Sequence, residues 1–355
     1  MQNKFMKGNE AIAEAAVQCG CRYFFGYPIT PQNEIPEYMS WRLPEVGGTF
    51  IQAESEVAAI NMVYGAAGAG ARVMTSSSSP GVSLKMEGIS YIAGADLPCV
   101  VVNIQRAGPG LGGIQPSQSD YFQATKGGGH GDYRCIVYAP STLQEAVDLV
   151  QLSFDKADEY RMPVMILGDG LIGQMMEPVS IGEKKPIDVD KSWASVGWKD
   201  KSRPRAVINS LSLDASALEQ WNIQRQEKYK KIKETEVMYT TLGAEDCDFL
   251  VVAYGSVARI ARTVVDEWSS DGLKIGLFCP LTLWPFPEKE LKAMAKGKKL
   301  VLCVEMSAGQ MVEDVRLAVM NDAAEGPPPP VHFYGRMGGI VPTAEEVYEE
   351  IKRIS

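Results

Sequence analysis

Along most of its length this chain alternates between short apolar segments and longer segments with the composition of helices. In its first half the apolar segments are residues 22–26, 49–52, 71–76, 97–105 and 162–167. Short strands separated by helices are typical of a parallel sheet, because each parallel connection needs a crossover long enough to carry a helix. The alternation therefore predicts an α/β fold with a doubly wound, mostly parallel sheet.

The pattern changes in the middle of the chain and then returns. Residues 181–245 are polar, broken by prolines near their start and helical in pattern towards their end, whereas alternation resumes from residue 246. We predict a first domain over residues 1–180, a linker with a long helix over 181–245, and a second, smaller α/β domain over 246–355.

The charge and the cysteine and histidine content exclude several classes of function. Lys and Arg number 35 against 44 Asp and Glu, a net charge of −9, which argues against a nucleic-acid partner or a polybasic membrane surface. No apolar run reaches the about 18 residues that span a bilayer. The two histidines and seven scattered cysteines, with no Cys-x-x-Cys, do not suggest a metal or iron–sulfur site. The composition predicts a cytoplasmic α/β enzyme, or a part of one.

A glycine-rich segment after one strand resembles a nucleotide-binding loop. Gly108-Pro-Gly-Leu-Gly-Gly113 matches the G-x-G-x-x-G spacing. A dinucleotide site requires a helix to begin at the last glycine, so that the helix N-terminus faces the pyrophosphate. The next residues, Ile114-Gln-Pro-Ser117, do not favour a helix. An NAD-type Rossmann dehydrogenase is therefore a disfavoured alternative.

Polar residues capable of chemistry follow three of the predicted strands. Thr30 lies in the turn after the first strand, Glu54 and Glu56 follow the second, and Arg106 follows the fourth. The carboxyl ends of parallel strands meet at one edge of a sheet, where ligands bind in open α/β folds. The order of these residues predicts that a hydroxyl, a carboxylate and a guanidinium converge there.

Each of these residues also has a purely structural interpretation. Thr30 is a candidate helix N-cap, with Pro31 at the first helical position. Glu56 suits the first turn of a helix, where the dipole favours an acid, and Arg106 is compatible with an ordinary surface position. The residues taken singly leave both interpretations open.

In combination, these segments resemble the alpha chain of the 2-oxoacid:ferredoxin oxidoreductases, which are thiamine-diphosphate, iron–sulfur enzymes. The similar segments are Tyr27-Pro-Ile-Thr-Pro31, the Glu56 helix with Gly65-Ala-Ala-Gly-Ala69, and Gln105-Arg-Ala-Gly-Pro109. Segments at residues 280–287, 304–311 and 335–342 resemble a transketolase C-terminal-like domain. The resemblance covers nearly the whole chain and implies that the first domain is a pyrimidine-binding domain.

The resemblance assigns roles to individual residues. It implies that Glu56 contacts the aminopyrimidine ring of thiamine diphosphate and exchanges a proton with it, and that Tyr27 and Pro28 also bind the cofactor. It implies that Thr30 and Arg106 hold the carboxylate of the 2-oxoacid, a role that suits the planar fork of arginine. Glu54, two residues before Glu56, lies outside the register of the match.

The resemblance also implies partner chains. Gly168-Asp-Gly170 is similar to the start of a magnesium–diphosphate motif, but the paired asparagine that should follow is missing from residues 191–198. We interpret Gly168-Asp-Gly170 as a strand-end turn. We expect thiamine diphosphate to be shared with a beta-type diphosphate-binding subunit, and Mg²⁺ and [4Fe-4S] clusters to lie on that subunit and on ferredoxin-like subunits. The 2-oxoacid, coenzyme A and ferredoxin are the expected reaction partners.

Within the family, the loop over residues 110–121 and the linker over 193–239 look most like the branched-chain subgroup, which acts on 2-oxoisovalerate (3-methyl-2-oxobutanoate). The alpha chain of the 2-oxoglutarate enzyme is the nearest alternative, and a non-catalytic assembly subunit is another. The role of the second domain is left open between coenzyme A binding and assembly. Arg336, in a glycine-rich setting, is a candidate for a phosphate contact, but a structural role is favoured.

Overall fold

The computed structural model describes residues 3–198, 204–268, 273–320 and 327–355. In chain order, the strands are β1 (Lys4–Lys7), β2 (Tyr23–Gly26), β3 (Thr49–Gln52), β4 (Val73–Ser77), β5 (Cys99–Gln105), β6 (Ile136–Tyr138), β7 (Pro163–Asp169), β8 (Met176–Val179), β9 (Tyr239–Leu242), β10 (Phe249–Val252), β11 (Ile275–Pro280), β12 (Thr282–Trp284), β13 (Leu300–Glu305) and β14 (Val331–Gly335). The helices are α1 (Gly8–Gln18), α2 (Glu34–Glu45), α3 (Glu56–Gly68), α4 (Ser79–Gly94), α5 (Tyr121–Thr125), α6 (Leu143–Tyr160), α7 (Gly170–Gln174), α8 (Ala215–Thr235), α9 (Gly255–Trp268), α10 (Glu288–Ala295), α11 (Met311–Val319) and α12 (Ala344–Ile354).

The larger sheet is doubly wound, with the strand order β12-β6-β7-β5-β4-β2-β3. Only β12 runs antiparallel to its neighbour, and the other pairs of this sheet are parallel. All residues of the central strands β4, β5 and β7 are buried, as expected for strands covered on both faces. Helices α3 and α4 pack together on one face, and α1 packs against α2 and α6 on the other. The predicted α/β fold with a doubly wound, mostly parallel sheet is confirmed.

The smaller sheet has the order β14-β13-β10-β11-β9, and β9 is its one antiparallel strand within the described part of the chain. Its central strands β10, β11 and β13 are wholly buried. Two strands lie across the expected domain limits: β9 falls within the predicted linker, and β12 joins the larger sheet through β6. The division at residues 180 and 245 stays a prediction.

The start of α2 differs from the sequence prediction. Thr30 is not an N-cap, and the helix begins at Glu34 with Asn33 in the cap position. The reason is tertiary, because the carbonyl oxygen of Pro31 accepts hydrogen bonds from Asn9 Nδ2 at 2.8 Å and Gln174 Nε2 at 3.0 Å. These contacts hold the Pro31 carbonyl outside the helix and leave the Thr30 side chain free of a capping role.

The two sheets are joined through a buried segment that follows the glycine-rich loop. The backbone N–H of Gln118 donates to the carbonyl oxygen of Met306, and the Met306 N–H donates back to Gln118 Oε1 at 3.0 Å. Gln118 Nε2 also donates to the carbonyl oxygen of Tyr254 at 2.8 Å. Gln118 is fully buried, so this side chain fixes the second sheet against the loop that carries Arg106.

Among the helices that the structure describes, none has the length and apolar character needed to cross a membrane.

Candidate active site

Four neighbouring strands of the larger sheet bring the predicted site residues to one edge. The strands β5, β4, β2 and β3 are adjacent in that order and parallel. Arg106 follows β5, Thr30 follows β2, and Glu56 opens the helix that follows β3. The predicted convergence at the carboxyl ends of the strands is therefore observed.

Arg106 and Thr30 are in direct contact. Arg106 Nη1 donates to the carbonyl oxygen of Thr30 at 3.0 Å, and Nη2 donates to the carbonyl oxygen of Leu111 at 2.9 Å. Only 7% of Arg106 is exposed, which excludes the ordinary surface position. The guanidinium thus links the turn after β2 to the glycine-rich loop after β5.

Glu56 is buried, whereas Glu54 is exposed. Glu56 is the first residue of α3, whose N-cap, Ser55, accepts a hydrogen bond through Oγ from the backbone N–H of Ala58 at 3.1 Å. A Cβ atom added to Gly81 would lie 2.7 Å from Glu56 Oε1, closer than such atoms approach. The absence of a side chain at Gly81 therefore provides the space that the Glu56 carboxyl occupies.

Several buried polar atoms at this edge lack a partner within the described residues. They are Ser77 Oγ and Ser78 Oγ, at the end of β4, and Arg106 Nε, at the end of β5. An unsatisfied buried polar group costs about 1–3 kcal/mol, so such groups are explained when a ligand pairs with them. Hydroxyls, a guanidinium N–H and the buried Glu56 carboxyl together fit a polar heteroaromatic ring beside a small carboxylate.

Tyr27 and Pro28 occupy the turn after β2, as the sequence predicts. Tyr27 is half-buried and Pro28 is exposed. The carbonyl oxygen of Tyr27 accepts a long hydrogen bond of 3.4 Å from Gln32 Nε2. A direct contact of these two residues with a cofactor stays a prediction.

The structure adds a support for Arg106 that the sequence did not indicate. Ser79 Oγ accepts from the backbone N–H of Arg106 at 3.0 Å, and the backbone N–H of Ser79 donates to Asn103 Oδ1 at 3.1 Å. Asn103 Nδ2 donates in turn to Asp120 Oδ2 at 2.9 Å, and burial raises the pKa of Asp120. A run of serines and one strand asparagine carry no recognisable pattern, so only the packing of α4 on β5 reveals this support.

A cavity of about 670 Å³ opens beside the Arg106 loop, between the two sheets. One wall is formed by Ser79 and Ser83 of α4 and by the loop residues 107–110. The opposite wall comes from the second sheet and its loops, including Met306 and Gln310. The cavity therefore adjoins the loop that follows Arg106, although Arg106 itself does not line it.

The two glycine motifs have structural roles in this fold. After Gly108–Gly113 the chain turns back, with the N–H of Gly113 donating to the carbonyl oxygen of Ala107 at 2.9 Å, and the next helix begins only at Tyr121. The helix N-terminus that a dinucleotide site needs is absent at this loop, so the Rossmann alternative is wrong.

Asp169, the middle residue of the second glycine motif, caps a short helix. Its Oδ1 atom accepts from the backbone N–H of Leu171 at 2.9 Å and from Ser256 Oγ at 2.7 Å. Burial raises the pKa of the Asp169 carboxyl. The interpretation of this motif as a strand-end turn is confirmed, and the turn also links the two domains.

Arg336 has a structural partner. Its guanidinium forms an ion pair with Glu346 of α12, and its backbone N–H donates to the carbonyl oxygen of Glu305 at 3.1 Å. The structural interpretation of Arg336 agrees with these contacts.

The doubly wound sheet, the buried glutamate that opens α3 at its carboxyl edge and the smaller α/β domain are consistent with a thiamine-diphosphate-binding class of protein, which is the class that the family match gives. Residues 14–239 match the family described as pyruvate flavodoxin/ferredoxin oxidoreductase, thiamine diP-bdg, and residues 247–347 match pyruvate:ferredoxin oxidoreductase core domain II. The chain belongs to the pyruvate flavodoxin/ferredoxin oxidoreductase family.

Curated relatives and a solved structure agree with this family. The chain is 46% identical to ketoisovalerate oxidoreductase subunit VorB of Methanothermobacter marburgensis, over 100% of this chain and 99% of the relative. It is 35% identical to 2-oxoglutarate synthase subunit KorA of the same organism, over 98% of each. The chain superposes with a TM-score of 0.85, at 26% identity, on the 2-oxoglutarate:ferredoxin oxidoreductase from Magnetococcus marinus with 2-oxoglutarate, coenzyme A and succinyl-CoA bound. The match covers 99% of this chain and 65% of the other chain.

Proposed function

We propose that this chain is the alpha-type subunit of a 2-oxoacid:ferredoxin oxidoreductase, and that it holds the pyrimidine half of thiamine diphosphate together with a branched-chain 2-oxoacid, 2-oxoisovalerate. The observation that carries the proposal is the buried Glu56 carboxyl, which borders Gly81 together with Ser77 Oγ, at the edge of the sheet where Ser77 Oγ, Ser78 Oγ and Arg106 Nε lack partners within the described residues. The family match and the high identity to a ketoisovalerate oxidoreductase subunit support it.

The residues present fit the cofactor. When bound, thiamine diphosphate supplies the electron sink for decarboxylation, which no side chain provides. In the proposal Glu56 holds the pyrimidine ring and exchanges a proton with its ring nitrogen. Arg106 and Thr30 bind the carboxylate of the 2-oxoacid, and Arg106 Nε, which has no partner among the described residues, offers a charge-assisted hydrogen bond to it.

The proposed overall reaction balances with one 2-oxoacid, one coenzyme A and two oxidised ferredoxins. The bond between the carboxylate and the 2-oxo carbon breaks and carbon dioxide leaves. Two electrons pass, one each, to two oxidised ferredoxins. The thiol of coenzyme A loses its proton and takes up the acyl group as a thioester. Within this chain we place the approach of the thiol along the cavity between the domains, which adjoins the Arg106 loop.

We further propose that partner chains complete the enzyme. A beta-type subunit would bind the diphosphate with Mg²⁺ and carry a [4Fe-4S] cluster, and ferredoxin-like subunits would carry more clusters. Support comes from the relatives, which are named as subunits, and from the missing paired asparagine after Gly168-Asp-Gly170. The seven cysteines are buried and unpaired, as expected of the cytoplasm in which the proposal places the assembly.

The preference for 2-oxoisovalerate over 2-oxoglutarate has local support. A second substrate carboxylate needs a cation, but residues 107–125, which follow Arg106, contain no lysine or arginine. The first cation after this loop, Lys126, forms an ion pair with Asp314 of α11 and is therefore engaged. The identity to VorB, which exceeds the identity to KorA, points in the same direction.

The test uses the assembly purified through a tag on this chain. We expect reduction of ferredoxin or viologen that depends on coenzyme A and is at least about tenfold more efficient, in kcat/KM, with 2-oxoisovalerate than with 2-oxoglutarate. The reverse preference would assign the chain to the 2-oxoglutarate enzyme, and no reduction with any 2-oxoacid would reject the proposed function. The isolated chain is the control: tight Mg²⁺-dependent binding of thiamine diphosphate, seen by calorimetry, contradicts a shared site.

A further inference from the structure

A lysine lies fully buried beneath the candidate active site. Lys85 of α4 has 0% of its surface exposed, and its Nζ donates to Thr75 Oγ1 at 2.7 Å and to the carbonyl oxygen of Ser76 at 2.8 Å. Lysine is among the residues least often buried without a partner of opposite charge, because an ammonium group loses its hydration there. A residue kept in this position needs a physical reason.

Glu56 is the charged group that acts on Lys85. Within the described residues Lys85 forms no salt bridge, and its hydrogen-bond partners Thr75 and Ser76 are neutral. Burial lowers the pKa of Lys85 to about 7, and the negative charge of Glu56 opposes that shift. Among the described residues, Glu56 is thus the carboxylate that favours the charged form of Lys85.

The geometry of α4 connects the two residues. Gly81 and Lys85 are four residues apart in the helix and therefore lie on one face. Gly81 is the residue against which the Glu56 carboxyl packs, so Lys85 lies one helical turn further from the edge of the sheet.

The same lysine is connected to the turn that carries Thr30. Lys85 holds the carbonyl oxygen of Ser76, and Ser76 Oγ donates to Gln32 Oε1. Gln32 Nε2 donates in turn to the carbonyl oxygen of Tyr27. Thr75 Oγ1, the second acceptor of Lys85, donates to the carbonyl oxygen of Phe25 in β2 at 2.6 Å. These bonds tie the ends of β4 and β2 together beneath the site.

We propose that Lys85 is a positioning residue whose buried ammonium group attracts the carboxylate of Glu56 and holds the end of β4 against the turn that carries Thr30. The consequence for the cofactor rests on the proposed function, whereas the interaction between the two charges does not. The two parts are therefore tested separately.

The first test is a double-mutant cycle for the unfolding of the full chain in urea at about pH 6, below the pKa of about 7 that burial gives Lys85, so that its ammonium form predominates. The variants are Lys85→Met, Glu56→Gln and both together, and the coupling is the departure from additivity. We expect a coupling of about tenfold in the unfolding equilibrium constant, because each single change leaves one buried charge without its counterpart. The matched control is the cycle of Lys85→Met with Glu54→Gln, because Glu54 is exposed, and it should be additive. Additivity in both cycles overturns the proposal.

Lys85→Gln separates charge from hydrogen bonding. Glutamine keeps an N–H donor for Thr75 and Ser76 but carries no charge. If the charge matters, Lys85→Gln couples to Glu56→Gln as strongly as Lys85→Met does. If Lys85→Gln behaves like the native chain, hydrogen bonding alone explains the lysine and the charge role is wrong. If Lys85→Met does not fold, Lys85→Gln replaces it in the double-mutant cycle.

The second test measures thiamine diphosphate affinity by calorimetry in the assembly purified through this chain. We expect Lys85→Met to weaken binding about tenfold when Glu56 is present and to have no effect in the Glu56→Gln background. Lys228→Met, which changes another largely buried lysine at a distance from the site, is the control and should leave the affinity unchanged. If Glu56→Gln weakens binding but Lys85→Met does not, the inference fails and the proposed function stands. If Glu56→Gln has no effect either, the proposed role of Glu56 fails.

Discussion

The two sheets of this protein present a buried acid in comparable places and use it in opposite ways. In the second sheet Glu305 ends β13, and its carboxylate accepts from the backbone N–H groups of Gln310, Met311 and Val312 and from Ser307 Oγ at 2.8 Å. In the first sheet Glu56 follows β3 and is surrounded by polar atoms that lack partners within the described residues, Ser77 Oγ among them.

The difference shows how to distinguish a ligand-binding site from a structural hydrogen-bond network when both contain a buried acid near the carboxyl end of a strand. The Glu305 carboxylate is saturated by the first turn of α11, where the helix dipole also favours a negative charge. Its hydrogen-bonding capacity is used within the chain, so Glu305 stabilises the fold and has none left for a ligand. The buried groups at the edge of the first sheet that lack partners within the described residues are the ones with which a ligand would pair.

The largest effect is expected for Glu56→Gln in the assembly. Glutamine keeps the size of the side chain but cannot exchange a proton, so turnover should fall by about 10²- to 10⁴-fold while the fold is retained. Deuterium exchange at the thiazolium C2 position of the bound cofactor measures this step directly. Glu54→Gln is the matched control and should leave the exchange rate nearly unchanged. If Glu56→Gln exchanges deuterium at the wild-type rate, Glu56 has no role in this step and the contrast with Glu305 fails.

Glu305→Ala should act on stability and leave the substrate site intact. Removing the carboxylate leaves three backbone N–H groups and a hydroxyl without an acceptor, so we expect a loss of about 3 kcal/mol in the free energy of unfolding. Urea unfolding measures it, and Glu305→Gln should be milder because one oxygen acceptor remains. A change in the KM for 2-oxoisovalerate without a loss of stability would show that Glu305 is also part of the active site.

Arg106→Ala should affect substrate binding more than the fold. The change removes a buried guanidinium that the proposal assigns to the 2-oxoacid carboxylate, so KM should rise by about 10- to 100-fold. Steady-state kinetics of the assembly test this, with Arg336→Ala as the control because Arg336 pairs with Glu346 on the second domain. An unchanged KM for Arg106→Ala would mean that Arg106 only joins Thr30 to Leu111.

The smallest effect is expected for Gly81→Ala. The added methyl group would lie 2.2 Å from Ser77 Oγ and 2.7 Å from Glu56 Oε1, so both side chains must move. Turnover should fall by about tenfold, because small displacements of a catalytic group are costly. Gly65→Ala on α3, where nothing lies within 4 Å of the new atom, is the control and should leave turnover unchanged. Equal activity in both variants would show that the position of Glu56 tolerates displacement.

The sequence by itself determined the local elements and the convergence of the candidate residues. Apolar strands and their spacing predicted the doubly wound sheet, and the rule that parallel strands end at one edge placed Thr30, Glu56 and Arg106 at that edge. These conclusions succeed because they depend on periodicity and chain direction, which are written in short stretches of sequence.

Only the tertiary structure decided which polar groups are paired and which are not. The start of α2 at Glu34, the buried Gln118 between the domains and the fully buried Lys85 all depend on segments distant in the chain. Sequence patterns indicated a Thr30 cap because they report on neighbours in sequence alone. Burial and hydrogen bonding are set by long-range packing, and this packing makes Glu56 available to a ligand while Glu305 is saturated.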